Sequence, residues 1–121
     1  MPNSLTKIGA HAFDNCLYLT DIVIPDNVKT IGEYAFTGCT ELKNVVIGSG
    51  VQLIREQAFY FCQKLMNVVF KNPISWRLTI TANVNNKPKN VYLSSDKFDN
   101  ESTNAEYLKQ TYNYYKWEVT N

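Results

Sequence analysis

The chain has 121 residues, a length that suits one ordinary domain and leaves no room for two full ones. Twelve basic against eleven acidic side chains give a formal charge of +1, which argues against nucleic acid as the main partner, since phosphate binding calls for a clear Lys/Arg excess. A hydrophobic content of 45% is too high for disorder, and no apolar run approaches the ~20 residues of a membrane span, so membrane insertion is not expected.

Taken from the start, Met1-Pro2-Asn3-Ser4 lacks the charged opening and apolar stretch of a signal peptide. Cys16, Cys39 and Cys62 stand 23 residues apart. A fixed step of that size is tested first as an internal repeat. The surrounding columns keep the same step. Ile8, Ile31 and Ile54 align, as do Ala12-Phe13, Ala35-Phe36 and Ala58-Phe59. Leu19, Leu42 and Leu65 follow the cysteines, and the quartets 21–24, 44–47 and 67–70 come next. Met1–Leu5 aligns with Ile24–Val28, so the chain is expected to begin partway through a repeat. Stepping forward, Asn90-Val91-Tyr92-Leu93 falls on the strand quartet, while Arg77, Thr81, Ala82 and Asn85 occupy the Ile, Ala, Phe and Cys columns. The organisation predicted is three repeats over 1–76, a degenerate fourth over 77–93 and a C-terminal cap over 94–121.

Within one unit, the alternation of Ile22 and Ile24 with Asp21 and Val23 predicts a strand. Ile8, Ala12 and Cys16 are spaced four apart, which predicts one face of a short helix or helical turn. A unit this small cannot bury its own apolar face, so it must stack on its neighbours. The expected architecture is an α/β solenoid with a parallel strand ladder along one side.

After residue 76 the composition shifts toward asparagine and aromatics. Leu78, Ile80 and Val84 suggest an extended stretch, and residues 83–88 read as an exposed loop. Thr103-x-x-Glu106 fits a capping box that starts a helix with Ala105, Leu108, Tyr112 and Tyr115 on its apolar stripe. Residues 114–119 read as a short closing strand. A solenoid end exposes core and strand edge, so this segment is expected to cap it, with its Tyr and Trp side chains as an alternative binding surface. The first rung has no such cover, which predicts self-association there.

Catalytic and metal chemistry find little support. Two sulfurs on one zinc can be only ~4.6 Å apart, whereas cysteines two rungs apart are ~9.5 Å apart. His11 and Cys16, five residues apart in one turn, point in different directions and have no orienting third group. The thiols are therefore expected to pack as small hydrophobes in the core, and His11, in a variable column with Tyr34 and Gln57, at the surface. Asp96, Asp99 and Glu101 lack the spacing and glycine of a calcium loop. No catalytic site, metal or cofactor is expected.

The pattern I-G-x-x-A-F-x-x-C-x-x-L-x-x-V-x-I-P-x-x-V, carried by Ile31-Gly32, Ala35-Phe36, Cys39, Leu42, Val45 and Ile47 with their equivalents, resembles the BspA-like leucine-rich repeat of bacteria and protists. The resemblance implies a leucine-rich-repeat right-handed superhelix. It also implies a secreted or cell-surface protein, without enzymatic activity, that acts in adhesion and protein binding. On a strand ladder, Asp21, Asn44, Asn67 and Asn90 would form one outward stripe, and Val23, Val46, Val69 and Tyr92 a second. These eight residues are the candidate partner-binding site. Valine also suits any strand, and an asparagine column could instead hydrogen-bond backbone at strand starts. A purely structural role, as a spacer that presents some other domain, is the alternative function.

Overall fold

The computed structural model describes residues 1–2, 4–72, 74–80 and 87–120. Its strands are β1 (Lys7–Ile8), β2 (Asp21–Val23), β3 (Thr30–Ile31), β4 (Asn44–Ile47), β5 (Leu53–Ile54), β6 (Asn67–Phe70), β7 (Trp76–Thr79), β8 (Asn90–Leu93) and β9 (Lys116–Val119). A 3-10 turn spans Ser95–Phe98, and a short helix, α1 (Glu101–Glu106), runs on into a π-helical turn over Tyr107–Thr111.

The 23-residue step is realised as strand register. In one sheet, β2, β4 and β6 pair in parallel, with Asp21 beside Asn44 beside Asn67. In the other, β1, β3 and β5 pair in parallel, with Ile8 beside Ile31 beside Ile54. Each repeat therefore gives one short strand to each sheet, and the apolar columns meet between them. Ile31, Ala35, Phe36, Cys39 and Leu42 are fully buried, and their equivalents one turn later are nearly so. Phe13, Phe36 and Phe59 stack with centroids 5.2 and 5.1 Å apart.

The segment between the two strands of a repeat is not the helical turn that the four-residue spacing suggests. It is a run of overlapping tight turns. His11, Tyr34 and Gln57 all have φ of 55–59°, and Asn15, Gly38 and Phe61 have φ of 55–76°. Left-handed φ costs roughly 1–2 kcal/mol for an ordinary residue, so something must offset it. Turning alternate peptides over aims their N–H groups at the next repeat. His11, Phe13 and Asn15 donate to the carbonyls of Glu33, Ala35 and Thr37 at 2.7–3.0 Å, and Tyr34, Phe36 and Gly38 do the same to Glu56, Ala58 and Tyr60. A regular helix would spend those donors within its own turn. At Gly38, φ of 76° costs nothing because glycine has no Cβ.

The ladder does not continue as the repeat step implies. Asn90 and Tyr92 lie on β8, which pairs antiparallel with β7 in the second sheet and not beside β6. That sheet has the order β1-β3-β5-β9-β7-β8. Strand β9 enters antiparallel between β5 and β7, where the repeat would have paired them directly, so that Trp117 lies between Ile54 and Leu78. Leu78, one residue past the Ile column, is the buried residue, while Arg77 is exposed and ion-paired to Glu118 at 3.3 Å. A one-residue slip exchanges the two faces of a strand, and here it carries the apolar side chain inward.

The third turn is met by groups from further down the chain. Asn104 Nδ2 donates to the Val68 carbonyl at 2.8 Å, Lys109 Nζ to that of Leu65 at 2.8 Å, and the Gln57 N–H donates to the Asn113 carbonyl at 2.6 Å. The helix begins earlier than the Thr103 capping box implies. Asn100 is the N-cap, its Oδ1 accepting from the Thr103 N–H at 2.9 Å, and Thr103 lies inside the helix. Asparagine is the stronger cap, and Glu101 then falls in the first turn, where the helix dipole favours it. Ala105, Leu108 and Tyr115 are buried as the stripe requires, although Tyr115 lies past the end of the helix. The extended stretch at Leu78 is β7, while Val84 and most of the loop at 83–88 lie outside the described residues.

Candidate interaction surface

Strand alternation turns the first and third residue of each quartet outward. Val45 and Val68 are buried, while Val23 and Val69 are 62% and 37% exposed and Val46 is half-buried. The polar column beside the valines forms side-chain hydrogen bonds across the rungs, not bonds to backbone at the strand starts. Asn67 Nδ2 donates to Asn44 Oδ1 at 2.8 Å, and Asn44 Nδ2 donates to Asp21 Oδ1 at 2.6 Å. Each asparagine can pass one bond along because it carries both donor and acceptor. Asp21 only accepts, so it ends the relay, and Thr20 Oγ1 donates to its other oxygen at 3.1 Å.

Asp21, Val23, Asn44, Val46, Asn67 and Val69 thus share one continuous face. Asn90 and Tyr92 do not join it, though both are exposed, Tyr92 at 68%. Around the ladder, Lys64 pairs with Glu41 across two rungs at 2.8 Å, and Met66, Leu17 and Tyr18 expose apolar surface. At the far end of the strands, Asp26 accepts from the Ser49 N–H at 2.9 Å and from Lys71 Nζ at 2.9 Å, a clasp over three turns. The Ser49 peptide first, and then Lys71, hold its carboxyl at about 2, below the ordinary 3.8.

The cysteines form a column of free thiols. Cys39 Sγ donates to the Phe13 carbonyl and Cys62 Sγ to the Phe36 carbonyl, each at 3.1 Å. Burial pushes the Cys39 thiol upward and that of Cys62 to about 12, away from the thiolate form that nucleophiles and metal ligands need. Cys16, in the first turn, is half-buried. His11 is exposed, bonded to Asp14 at 2.7 Å and stacked on Tyr34. Among the described residues no group of three His, Cys, Asp or Glu side chains is placed to hold a metal ion, and no helix is long and apolar enough to cross a membrane.

A second feature escaped the sequence reading. A cleft of about 360 Å³ lies between Tyr60–Gln63 of the third turn and Lys109, Gln110 and Asn113. Its one sequence signal is Phe61, an aromatic residue in a column that otherwise holds Asn15 and Gly38.

Comparison with known proteins gives a consistent picture of the fold. The family described as "BspA type Leucine rich repeat region (6 copies)" matches residues 1–103. A crystal structure of a leucine rich repeat protein from T. pallidum is similar at a TM-score of 0.53 and 35% identity, covering 54% of this chain and 30% of that one. The chain therefore spans less than a third of that protein's length. No curated protein matches the chain.

Proposed function

Because the chain belongs to the BspA-type leucine-rich repeat family, a repeat class that typically binds proteins and is not enzymatic, we propose that it is a non-catalytic adhesion module of a surface or secreted protein. It engages an extended protein partner through Asp21, Val23, Asn44, Val46, Asn67 and Val69. Asn90 and Tyr92, on β8, extend the candidate set at a separate place. The observation that carries the reading is the asparagine relay running beside an exposed valine stripe. The relay holds the amides in one orientation, so a partner meets fixed polar groups next to apolar surface, and little side-chain entropy remains to be lost on binding.

The proposed organisation is three repeats over 1–76, a degenerate fourth over 77–93 and a cap over 94–121, in a right-handed superhelix. The capping role is supported by Phe98, Tyr115 and Trp117, which are at most 4% exposed and so point into the core rather than toward a partner. The first turn supports self-association at the opposite end, since its Phe13, Leu19 and Ile22 are only half-covered and its Leu17 and Tyr18 are exposed.

The test is selection of displayed peptides on the immobilised chain, followed by measurement on the double variant Val46→Lys/Val69→Lys. Selected peptides should lose at least about tenfold in affinity, roughly 1.4 kcal/mol. Undiminished binding to the double variant places the partner surface elsewhere.

A further inference from the structure

The relay on the ladder face has a direction, and one residue decides it. Strand register places Asp21, Asn44 and Asn67 side by side on successive rungs. An asparagine amide donates from Nδ2 and accepts at Oδ1, so a column of asparagines alone could pass its bonds either way. A carboxylate accepts and never donates. Beside Asp21, Asn44 can form a bond only by turning its Nδ2 toward the carboxylate, and it does so at 2.6 Å. That turn leaves Asn44 Oδ1 facing the third rung, where Asn67 has to supply Nδ2, as it does at 2.8 Å.

The reverse direction is closed by the same chemistry. It would set Asn44 Oδ1 against a carboxylate oxygen, an acceptor against an acceptor, and would give up the stronger, charge-assisted bond. Thr20 Oγ1 donates to the second oxygen of Asp21 at 3.1 Å, so the carboxylate is held from both sides. Among the described residues no basic side chain forms an ion pair with Asp21, so none competes with Asn44 for it. At the other end of the relay, Asn67 Oδ1 accepts from no group among the described residues. It is an open acceptor at the end of an outward column.

We propose that Asp21 is a positioning residue for the partner surface: it fixes the direction of the relay, and so makes Asn67, two rungs or ~9.5 Å away, present an acceptor. A partner then has to bring a donor, an N–H or a basic head group, to the Asn67 end. With the relay reversed, Asn67 would turn Nδ2 to that place and call for an acceptor instead. This role toward a partner rests on the ladder face being the binding surface, whereas the direction of the relay does not.

The experiment is detection, in the nitrogen- and carbon-labelled chain, of magnetic couplings that cross hydrogen bonds from a side-chain amide nitrogen to a carboxyl or carboxamide carbon. Wild type should show Asn67 Nδ2 coupled to Asn44 Cγ and Asn44 Nδ2 coupled to Asp21 Cγ, with neither reverse pair. Asp21→Asn should weaken the coupling from Asn67 to Asn44 at least about twofold, as the reverse direction becomes populated. Asp21→Asn/Asn44→Asp moves the carboxylate one rung along and should restore a single direction from Asn67. Peptides selected by display on wild type should follow the same order, at least about threefold weaker on Asp21→Asn and regained on the pair of substitutions. A residue that merely touched the peptide would be missed equally in both variants. The proposal is overturned by a single direction that survives Asp21→Asn, or by peptides that the pair of substitutions does not rescue. Peptides that bind Val46→Lys/Val69→Lys undiminished overturn the binding surface itself, and with it the role toward a partner, even where the couplings keep one direction.

Discussion

Phe13, Phe36 and Phe59 occupy one column of one repeat and differ only in what lies above and below them. Phe36 has a ring on each side, at 5.2 and 5.1 Å, and is fully buried; Phe13 has a ring on one side only and is half-buried. Truncation to alanine at Phe36 removes a whole side chain from a closed core and leaves a cavity, which costs about 3–5 kcal/mol. At Phe13 roughly half of the ~1.5–3 kcal/mol burial term is at stake. The space left there opens to water, and one stacking contact of ~0.5–1.5 kcal/mol is lost where Phe36 loses two. Phe13→Ala should therefore cost about 1.5–2 kcal/mol, and Phe36→Ala about 2 kcal/mol more. With a urea dependence of about 2 kcal/mol per molar, the two midpoints should differ by about 1 M, read by far-ultraviolet circular dichroism. Equal costs at the two positions would refute a stack whose stability is set by nearest neighbours.

Two further outcomes follow from the same turns. The Asp26 carboxyl is held below its ordinary range, so its contribution is complete above about pH 4 and fades as the pH falls toward 2. Unfolding midpoints of wild type and Asp26→Asn should separate at neutral pH and converge in that window, and curves that stay parallel would remove the three-turn clasp from the account. At the first turn, sedimentation at rising concentration should show association that Leu17→Lys/Tyr18→Lys abolishes; a monomer at every concentration counts against an adhesive end.

The repeat was legible because its columns are independent of one another, yet all keep one step. The register of Asp21, Asn44 and Asn67 follows from counting alone, as does that of Ile8, Ile31 and Ile54. Three things were less legible. Left-handed backbone at His11, Tyr34 and Gln57 leaves no compositional trace, because the inter-turn hydrogen bonds impose it on whatever residue is present. The slip at Arg77 did leave one: Trp76, Leu78 and Ile80 alternate on their own phase, a residue away from the repeat count, and all three are buried. Placement of β9 between β5 and β7 had no local signal, since a strand's partners are not written in the strand. On the candidate surface, counting gave six of the eight residues their shared face. It failed for Asn90 and Tyr92, where β8 turns back on β7.

The position of β9 also bears on the order in which the molecule is built. Contacts between successive turns join residues 23 apart, and each new turn can settle on the last as soon as it is made. The join of Trp117 to Ile54 reaches across about half of the chain, yet it forms the middle of the six-stranded sheet. Distant joins form late. A nascent stack of three turns therefore waits with the edge of β5 open and Phe59 uncovered, a state that invites pairing with other chains until residues 116–119 arrive.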